Sequence, residues 1–406
     1  MRSIIVRLLT AQAKRLLKKL NAKVVVVTGS VGKTSTTQAI ASMLETSYAV
    51  QKTVKNYNSD IGVPCSMFNR KIPIQLLNPF AWFWIILKNE LVLINPPKTD
   101  VFVLELGADR VGEIQQFRWL KPDIAVVTAI TAEHMESFKT IDAVAQEELA
   151  TAEFSEKTVI SDSMVASTFR KFAKTEELYN YSVEELKNLN IDYKDLQVIG
   201  EHSLEAVAAA LFVGKDFGLQ TNSLVSGASR IKSQPGRMRL LKGIKNSTLI
   251  DDTYNSSPEA VKAAMAYIKK ASAPQKIVLL GNMNELGDSS KQEHIEIGKL
   301  CEKSLDLIVT LGPDANRYTA SAAQENGCLV ATTQTPYQAA KIIKREMKNG
   351  ALVLLKGSQN GVFAEEAVKL LLANKKDEKY LVRQDRFWLK KKKESFKKVL
   401  RASSYK

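Results

Sequence analysis

A lysine and a threonine follow two glycines in the run VVVVTGSVGKTST, residues 24–36. The glycines permit a tight turn in which backbone N–H groups point inward at a phosphate. In the spacing Gly-x-x-Gly-Lys-Thr, Lys33 can reach the β and γ oxygens of a nucleotide, and the Thr34 hydroxyl can hold Mg²⁺. The sequence therefore predicts a phosphate-binding loop, formed by Gly29, Ser30, Val31, Gly32, Lys33, Thr34 and Ser35.

Two further polar residues come at or after the ends of predicted buried strands. The run 101–106 contains Glu105 before the turn at Gly107, and the run 124–129 leads to His134. Because parallel α/β sheets bind ligands at the carboxyl ends of their strands, Glu105 and His134 are candidate Mg²⁺ ligands. The alternative for His134, a hydrogen-bonded structural histidine, stays open.

The elements that position these residues are strands alternating with helices along the whole chain, which predicts doubly wound, mostly parallel sheets. A chain of 406 residues is too long for one ordinary core, and Ser, Gly and Pro accumulate between 226 and 237. We predict an α/β protein with a P-loop central domain followed by a Rossmann-like C-terminal domain. The predicted limits are a basic amphipathic helix at 1–22, the central domain at 23–233, the C-terminal domain at 234–382 and a basic tail at 383–406.

Charge is concentrated at the two ends of the chain. Residues 1–23 carry seven Lys or Arg and no acid, residues 383–406 carry ten against two acids, and the formal net charge is +15. The body between them is neutral, which favours attraction of the termini to an anionic surface over a nucleic-acid-binding fold. We therefore predict no nucleic-acid partner.

Two apolar segments each leave two interpretations open. Residues 2–20 form an amphipathic basic helix, which lies either on an anionic membrane surface or against the domain. Residues 76–94 are apolar and contain Trp82, Phe83 and Trp84, so that they are either a hydrophobic cover or an interfacial anchor. No uninterrupted apolar stretch approaches the roughly 20 residues of a membrane span.

The cysteines and the start of the chain indicate the compartment. Cys65, Cys301 and Cys328 are odd in number and lack C-x-x-C spacing, as is typical of a reducing compartment. Lysines and arginines interrupt the N-terminal apolar positions, so no signal peptide is evident. We predict a cytoplasmic protein, with peripheral contact at the inner membrane face left open.

Eight motifs follow one another in order along the chain: TGSVGKTST, NYNSDIGVP, LELGADRVGEI, EHMESF, PGRMRL, DDTYNSSP, GNMNELGD and LLKGS. Together they resemble the motifs of the Mur ligases of cell-wall synthesis, most closely the type that adds D-alanyl-D-alanine. The resemblance runs from about Lys23 to Val382.

The resemblance implies an ATP- and Mg²⁺-dependent ligase that forms an amide through an acyl phosphate, with a muramyl-peptide precursor and D-alanyl-D-alanine as substrates. Lys33 and Thr34 would hold phosphates and the first Mg²⁺, and Glu105 and His134 would hold metal. Arg237 would approach the γ-phosphate and would act with Lys33 and His134 in catalysis. Contacts to the nucleotide from the second domain would come from Asp252, Tyr254 and Asn255. The alternatives are an exposed linker arginine at 237 and a simple turn at 254–255.

Three departures from the family pattern bear on substrate and metal. Only 22 residues precede Lys23, where the family has a domain that grips the uridine nucleotide. Glu148 stands where relatives carry a carbamylated lysine, and it could supply the same pair of oxygens to metal. Near adenine, Ala206 replaces an amide and Asn282 replaces an aspartate. Three alternatives stay open: another amine, a lipid-linked acceptor, or a regulatory homologue without turnover.

Overall fold

The computed structural model describes residues 2–53, 57–73, 75–76, 78–132, 135–192, 196–284, 286–358 and 361–403. Within it the chain forms two compact units. The first contains residues up to Gln197 together with Glu201–Lys232, and the second contains Val198–Gly200 and the chain from Ser233 onward.

The first unit is a parallel sheet with helices between its strands. The strands are β1 (Lys23–Thr28), β2 (Val50–Lys52), β3 (Val101–Glu105), β4 (Ile124–Val127), β5 (Lys157–Ser161) and β6 (Leu178–Tyr181). The helices are α1 (Arg2–Leu20), α2 (Lys33–Leu44), α3 (Gly62–Met67), α4 (Pro79–Ile94), α5 (Met135–Phe138), α6 (Ile141–Glu148), α7 (Glu184–Asn188), α8 (Glu201–Asp216) and α9 (Thr221–Arg230).

The order of strands in this sheet is β2-β3-β1-β4-β5-β6, and every described pair is parallel. The central strand β1 therefore lies between β3 and β4, with Val27 beside Glu105 and Thr28 beside Val127. Strands β3 and β4 lie on opposite sides of β1, which is the topology that opens a ligand crevice at the carboxyl ends.

The second unit holds a mixed sheet. Its strands are β7 (Arg239–Lys242), β8 (Thr248–Asp252), β9 (Lys276–Gly281), β10 (Leu307–Leu311), β11 (Val330–Thr333) and β12 (Leu352–Lys356). Its helices are α10 (Pro258–Lys270), α11 (Ser290–Lys299), α12 (Ala320–Glu325), α13 (Pro336–Glu346), α14 (Glu365–Leu371) and α15 (Arg386–Ser403). The order is β11-β10-β9-β12-β8-β7, and only the edge pair β7–β8 among the described pairs is antiparallel.

The predicted α/β fold class is confirmed in both units. The β-branched and leucine-rich runs form strands with buried side chains on both faces, as the sandwiched sheets of α/β proteins require. The antiparallel strand β7 was not predicted. Its residues Arg239–Lys242 lie at the sheet edge, where a short strand with exposed Leu240 and Lys242 carries a weak sequence signal.

Helix α1 packs against the first unit through one face. Ile5, Leu9, Ala13 and Leu16 are buried, while the lysines and arginines of the opposite face are exposed. In the part of the chain that the structure describes, no helix has the length and apolar character needed to cross a bilayer.

Candidate nucleotide-binding site

The turn after β1 has a backbone that only glycine adopts readily. Gly29 has φ of +122° and Gly32 has φ of +94°. A Cβ atom at Gly29 would lie 2.4 Å from the Thr128 hydroxyl and 2.9 Å from the Ala129 nitrogen. The turn therefore approaches the end of β4 too closely for a side chain, and α2 begins directly after it at Lys33.

Hydrogen bonds to the segment after β4 hold the loop in place. The Ser30 N–H donates to the Ala129 carbonyl over 2.8 Å, and the Thr128 hydroxyl donates to the Val31 carbonyl over 2.6 Å. The Ser30 hydroxyl also bonds to both backbone groups of Thr131. These bonds join the loop to the segment that follows β4 and fix the conformation of its backbone.

The two residues predicted to contact phosphate and metal lie at the start of α2. The Lys33 ammonium donates to the carbonyls of Gly29 and Ser30, the latter over 3.0 Å. Val31 through Ser35 are only partly buried, so that this end of the loop is open to solvent. A helix N-terminus at partly exposed residues, with an ammonium beside it, is a site for anions.

Glu148 is joined to the base of the same loop. One of its carboxylate oxygens, Oε2, accepts the Gly29 N–H over 2.7 Å and also accepts the Thr28 hydroxyl. The residue is buried, and it lies at the end of α6. In the structure Glu148 therefore binds the base of the loop directly. The sequence analysis placed Glu148 only among the metal ligands and did not predict this contact.

The neighbouring Glu147 points to a different part of the unit. Its two oxygens accept the N–H groups of Gly112 and Ile114, each over 2.6 Å. Burial raises the pKa of the Glu147 carboxyl, and the two backbone N–H groups oppose that rise. Successive residues of a helix diverge by about 100°, which is why two adjacent glutamates contact separate segments.

Glu105 is buried at the end of β3, next to β1. Its Oε1 accepts the Asn58 amide over 3.1 Å, whereas its Oε2 is buried and has no hydrogen-bond partner among the residues that the structure describes. A buried carboxylate oxygen without a donor is costly, and a cation would satisfy it. The residue thus fits the role of a Mg²⁺ ligand.

The other members of the predicted metal site are placed less completely. His134 lies outside the described residues. Among the residues that the structure does describe, no three His, Cys, Asp or Glu side chains form a cluster able to hold a metal ion. The assignment of Thr34, Glu105, His134 and Glu148 to metal stays a prediction, for which Glu105 carries the structural support.

In the second unit, the four predicted nucleotide contacts lie together at the end of β8. The Arg237 guanidinium stacks over the Tyr254 ring at 4.3 Å from its centroid. Asp252 accepts the Met238 N–H and forms a buried ion pair with Lys356 over 2.9 Å. Asn255 is exposed, and its carbonyl accepts the Lys356 ammonium over 2.6 Å.

Beside Asp252, the buried Asp251 supports the same turn. Its carboxylate accepts the Gly236 N–H over 3.0 Å and the Thr253 hydroxyl over 2.6 Å. Burial raises the pKa of Asp251 to about 6, while the Thr253 hydrogen bonds oppose the rise and the negative charge of Asp252 adds to it. Asp251 therefore joins the segment that carries Arg237 to the segment that carries Tyr254.

A buried charge network holds this turn from its other side. The Arg383 guanidinium donates to the carbonyls of Thr253 and Tyr254, and it pairs with Glu365 over 2.8 Å. Lys392 of α15 also pairs with Glu365, over 2.8 Å. Residues from the segment predicted as a basic tail thus contact the backbone of the predicted nucleotide turn.

The sequence analysis missed several residues that hold the phosphate loop of the first unit and the turn after β8 of the second unit. They are Asn58, Thr128, Lys356, Arg383 and Lys392. The ion pair of Lys356 could have been found, because parallel pairing of two predicted strands places it beside Asp252. Arg383 and Lys392 gave no signal, since a run rich in lysine is ordinarily solvated.

A glycine-rich loop between strand and helix in a parallel sheet, followed by a second α/β unit, defines a P-loop nucleotide-binding protein. The Mur ligase middle domain matches residues 27–72 and 86–218, and the Mur ligase glutamate ligase domain matches residues 236–359. The chain belongs to the Mur ligase family, whose members are ATP-dependent ligases that form peptide bonds.

Curated relatives match over most of the chain at low identity. The UDP-N-acetylmuramoyl-tripeptide–D-alanyl-D-alanine ligase of Bacillus subtilis (strain 168) is 26% identical over 387 residues, which cover 89% of this chain and 78% of the relative. The ligase of the same name from Escherichia coli (strain K12) is 24% identical and covers 87% and 77%.

Solved structures show the same fold. The MurF ligase from Thermotoga maritima in complex with ADP gives a TM-score of 0.71 at 22% identity, covering 92% of this chain and 84% of that one. E. coli FolC in complex with DHPP and ADP gives a TM-score of 0.61 at 18% identity, covering 90% and 91%.

Proposed function

We propose that this chain joins D-alanyl-D-alanine to a muramyl-peptide precursor, using ATP to activate the precursor's carboxylate. The anchored loop from Gly29 to Ser35, with Lys33 at the start of α2, is the observation that carries the ATP-dependent part. The choice of substrates is supported by the names of the relatives and by the motifs LELGADRVGEI and DDTYNSSP.

The reaction has two steps, and neither step forms a covalent bond between substrate and protein. A precursor carboxylate oxygen attacks the γ-phosphorus of ATP, the bond to the β-phosphate oxygen breaks, and ADP leaves. The free amine of the dipeptide then attacks the acyl carbon, phosphate leaves with the bonding electrons, and the new amide loses a proton to solvent. Phosphoryl transfer of this kind needs positioning and charge neutralisation.

The residues predicted for the site would supply that positioning. The N–H groups at the start of α2 would bind the β-phosphate, and Lys33 would exchange its contacts with Gly29 and Ser30 for phosphate oxygens. Arg237, stacked on Tyr254, would neutralise γ-phosphate charge, with Asp252 and Asn255 forming the rest of the nucleotide contact.

We assign Mg²⁺ to Glu105, whose buried Oε2 has no donor in the described part of the chain. Thr34 would add its hydroxyl, and His134 and Glu148 complete the set that the family pattern implies. When bound, Mg²⁺ neutralises negative charge on the phosphates.

Phosphate release from ATP tests the proposal. The protein is incubated with D-alanyl-D-alanine, with and without a UDP-linked muramyl tripeptide, beside Lys33→Ala and the exposed-lysine control Lys341→Ala. We expect release that needs both substrates, falls at least about 100-fold in Lys33→Ala and is unchanged in Lys341→Ala. Formation of the amide product is followed by mass spectrometry.

The other outcomes separate the alternatives. Release with a lipid-linked acceptor alone, or with another amine, would keep the ligase and replace the substrate. Tight ATP binding without turnover on any acceptor would contradict the proposal and favour a regulatory homologue.

A further inference from the structure

Helix α4 carries large apolar side chains on the face turned away from the first unit. Six of them are exposed to solvent: Phe80, Phe83, Trp84, Leu87, Leu91 and Ile94. Phe80 is 77% exposed, Phe83 60% and Trp84 57%. At 100° per residue these six positions fall within an arc of about 100°, so they form one continuous row, the α4 row.

The other face of α4 is fixed to the protein. Trp82 and Leu93 are buried, and Asn89 donates to the Gln12 side chain of α1 over 3.0 Å. Gln12 in turn donates to the Ile86 carbonyl over 2.9 Å. The exposed row therefore belongs to a helix whose opposite face is packed on and hydrogen-bonded to the rest of the first unit.

Helix α1 runs in the same direction as α4 and extends this surface. Arg15 pairs with Glu90 over 2.8 Å, and the Lys19 ammonium donates to the Leu93 and Ile94 carbonyls. One and two turns before Gln12, the exposed Leu8 and Ile4 lie on the α4 side of α1, next to the N-terminal half of α4.

The charge around the row is mostly positive. Residues 1–23 carry seven Lys or Arg without an acid, and residues 70–98 carry four with Glu90 as the single acid. Glu90 is itself paired with Arg15. Exposed basic side chains beside the row include Arg7, Lys14, Lys18, Lys71 and Lys88.

We propose that the α4 row and the basic residues of α1 form a docking surface for an anionic lipid bilayer. Aromatic side chains suit the interface between acyl chains and headgroups, and lysines and arginines suit anionic headgroups. A continuous row of six exposed apolar side chains with a basic border is the pattern of a protein that lies on a membrane. With a length of about 24 Å, α4 would lie in the plane of the interface.

Co-sedimentation with sucrose-loaded vesicles tests this docking. We compare vesicles of phosphatidylcholine alone with vesicles of equal parts phosphatidylcholine and phosphatidylglycerol. Three residues of the α4 row are replaced in Phe83→Ser/Trp84→Ser/Leu87→Ser, which we call the stripe variant. Its matched control, Leu240→Ser/Leu329→Ser/Leu370→Ser, replaces three exposed leucines of the second unit. A charge variant, Lys14→Gln/Lys18→Gln, is matched by Lys291→Gln/Lys303→Gln, which are also exposed.

We expect the wild type to bind anionic vesicles and to bind less as salt is added. The stripe variant should lose binding by about ten-fold or more, the charge variant by several-fold, and neither control should change. Because the substituted side chains are exposed, melting temperature and ATP-dependent activity in solution should stay as in wild type. This makes the result independent of the proposed ligase reaction.

Three outcomes would overturn the proposal. The first is a wild type that stays in the supernatant with both kinds of vesicle, and the second is a stripe variant that binds anionic vesicles as tightly as wild type. The third outcome is a wild-type dimer by analytical ultracentrifugation that the stripe variant abolishes, with no vesicle binding, which would assign the row to a second copy of the chain.

Discussion

Glu147 and Glu148 are adjacent in sequence and similarly buried, yet they bind different parts of the first unit. Glu148 accepts the Gly29 N–H and the Thr28 hydroxyl at the base of the phosphate loop. Glu147 accepts the N–H groups of Gly112 and Ile114. Glutamine at either position replaces a buried carboxylate by a buried amide. The variant at Glu147 is therefore a matched control for the variant at Glu148.

For Glu148→Gln we predict weaker ATP binding. The substituted amide keeps one acceptor, but it turns a charge-assisted hydrogen bond to the Gly29 N–H into a neutral one and so loosens the loop. Titration calorimetry should give a Kd for ATP about ten-fold higher than in wild type. Glu147→Gln should lower the melting temperature without changing that Kd. Equal ATP affinity in both variants and wild type would show that Glu148 does not shape the loop.

Asp251 should make the stability of the second unit depend on pH. Burial raises its pKa to about 6 in the folded protein from 3.8, so the folded state binds the proton more tightly than the unfolded state. The tighter binding of the proton to the folded state adds to the free energy of unfolding. This stabilisation is fully present below about pH 4 and is lost as the pH rises through about 6.

Asp251→Asn removes that titration. The variant should be less stable than wild type at every pH, because an amide cannot accept the Gly236 and Thr253 donors together. Between about pH 4 and pH 7 the difference in free energy of unfolding between wild type and the variant should narrow, by about 3 kcal/mol at most. Chemical denaturation at several pH values measures it. If the difference in free energy of unfolding stays constant or widens toward pH 7, ionisation of Asp251 does not destabilise the folded protein, and the prediction is wrong.

At the scale of elements, α15 is joined to the turn after β8 through buried charges. Arg383 precedes the helix and donates to the Thr253 and Tyr254 carbonyls, and Lys392 meets Glu365 and Glu366. Phe396 of α15 packs on Phe363. This basic segment is thus a structural part of the second unit that holds the residues proposed to contact nucleotide.

Arg383→Gln should therefore raise the KM for ATP more than it lowers kcat. Without the guanidinium, Glu365 keeps Lys392 as its one buried partner among the described residues, and the Tyr254 backbone loses a charged donor. We expect a KM about ten-fold higher, with partial rescue by Arg383→Lys. Arg386→Gln, an exposed arginine in α15, is the control and should behave as wild type. A fall in melting temperature with unchanged KM would leave Arg383 a structural role only.

The strands, the loop and the two-unit division followed from local patterns in the sequence. Runs such as 24–27 and 352–355 are apolar and bounded by glycine, so their burial and their strand character agree. The roles of Glu148 and Arg383 could not be predicted in this way. Each depends on contacts to residues more than one hundred positions away, and neighbouring residue types of equal charge, such as Glu147, look the same locally.

At the scale of the whole molecule, each unit encloses its own apolar core. In the first unit, residues such as Val26, Leu104 and Phe117 form one cluster, and in the second Leu279 and Val353 belong to another. Among the described residues, each unit also has its own six-stranded sheet. The phosphate loop and its anchors at Ala129, Thr131 and Glu148 all belong to the first.

We therefore predict that residues 1–232 expressed alone fold cooperatively and bind ATP, whereas they form no amide product. The loop keeps all its described contacts in this fragment, so a Kd within about ten-fold of the full chain is expected. Lys33→Ala in the fragment should abolish the binding. Circular dichroism melting and titration calorimetry measure both properties. A fragment that melts cooperatively without binding ATP would mean that the second unit supplies most of the nucleotide affinity, and an unfolded fragment would mean that the first core is not sufficient for folding.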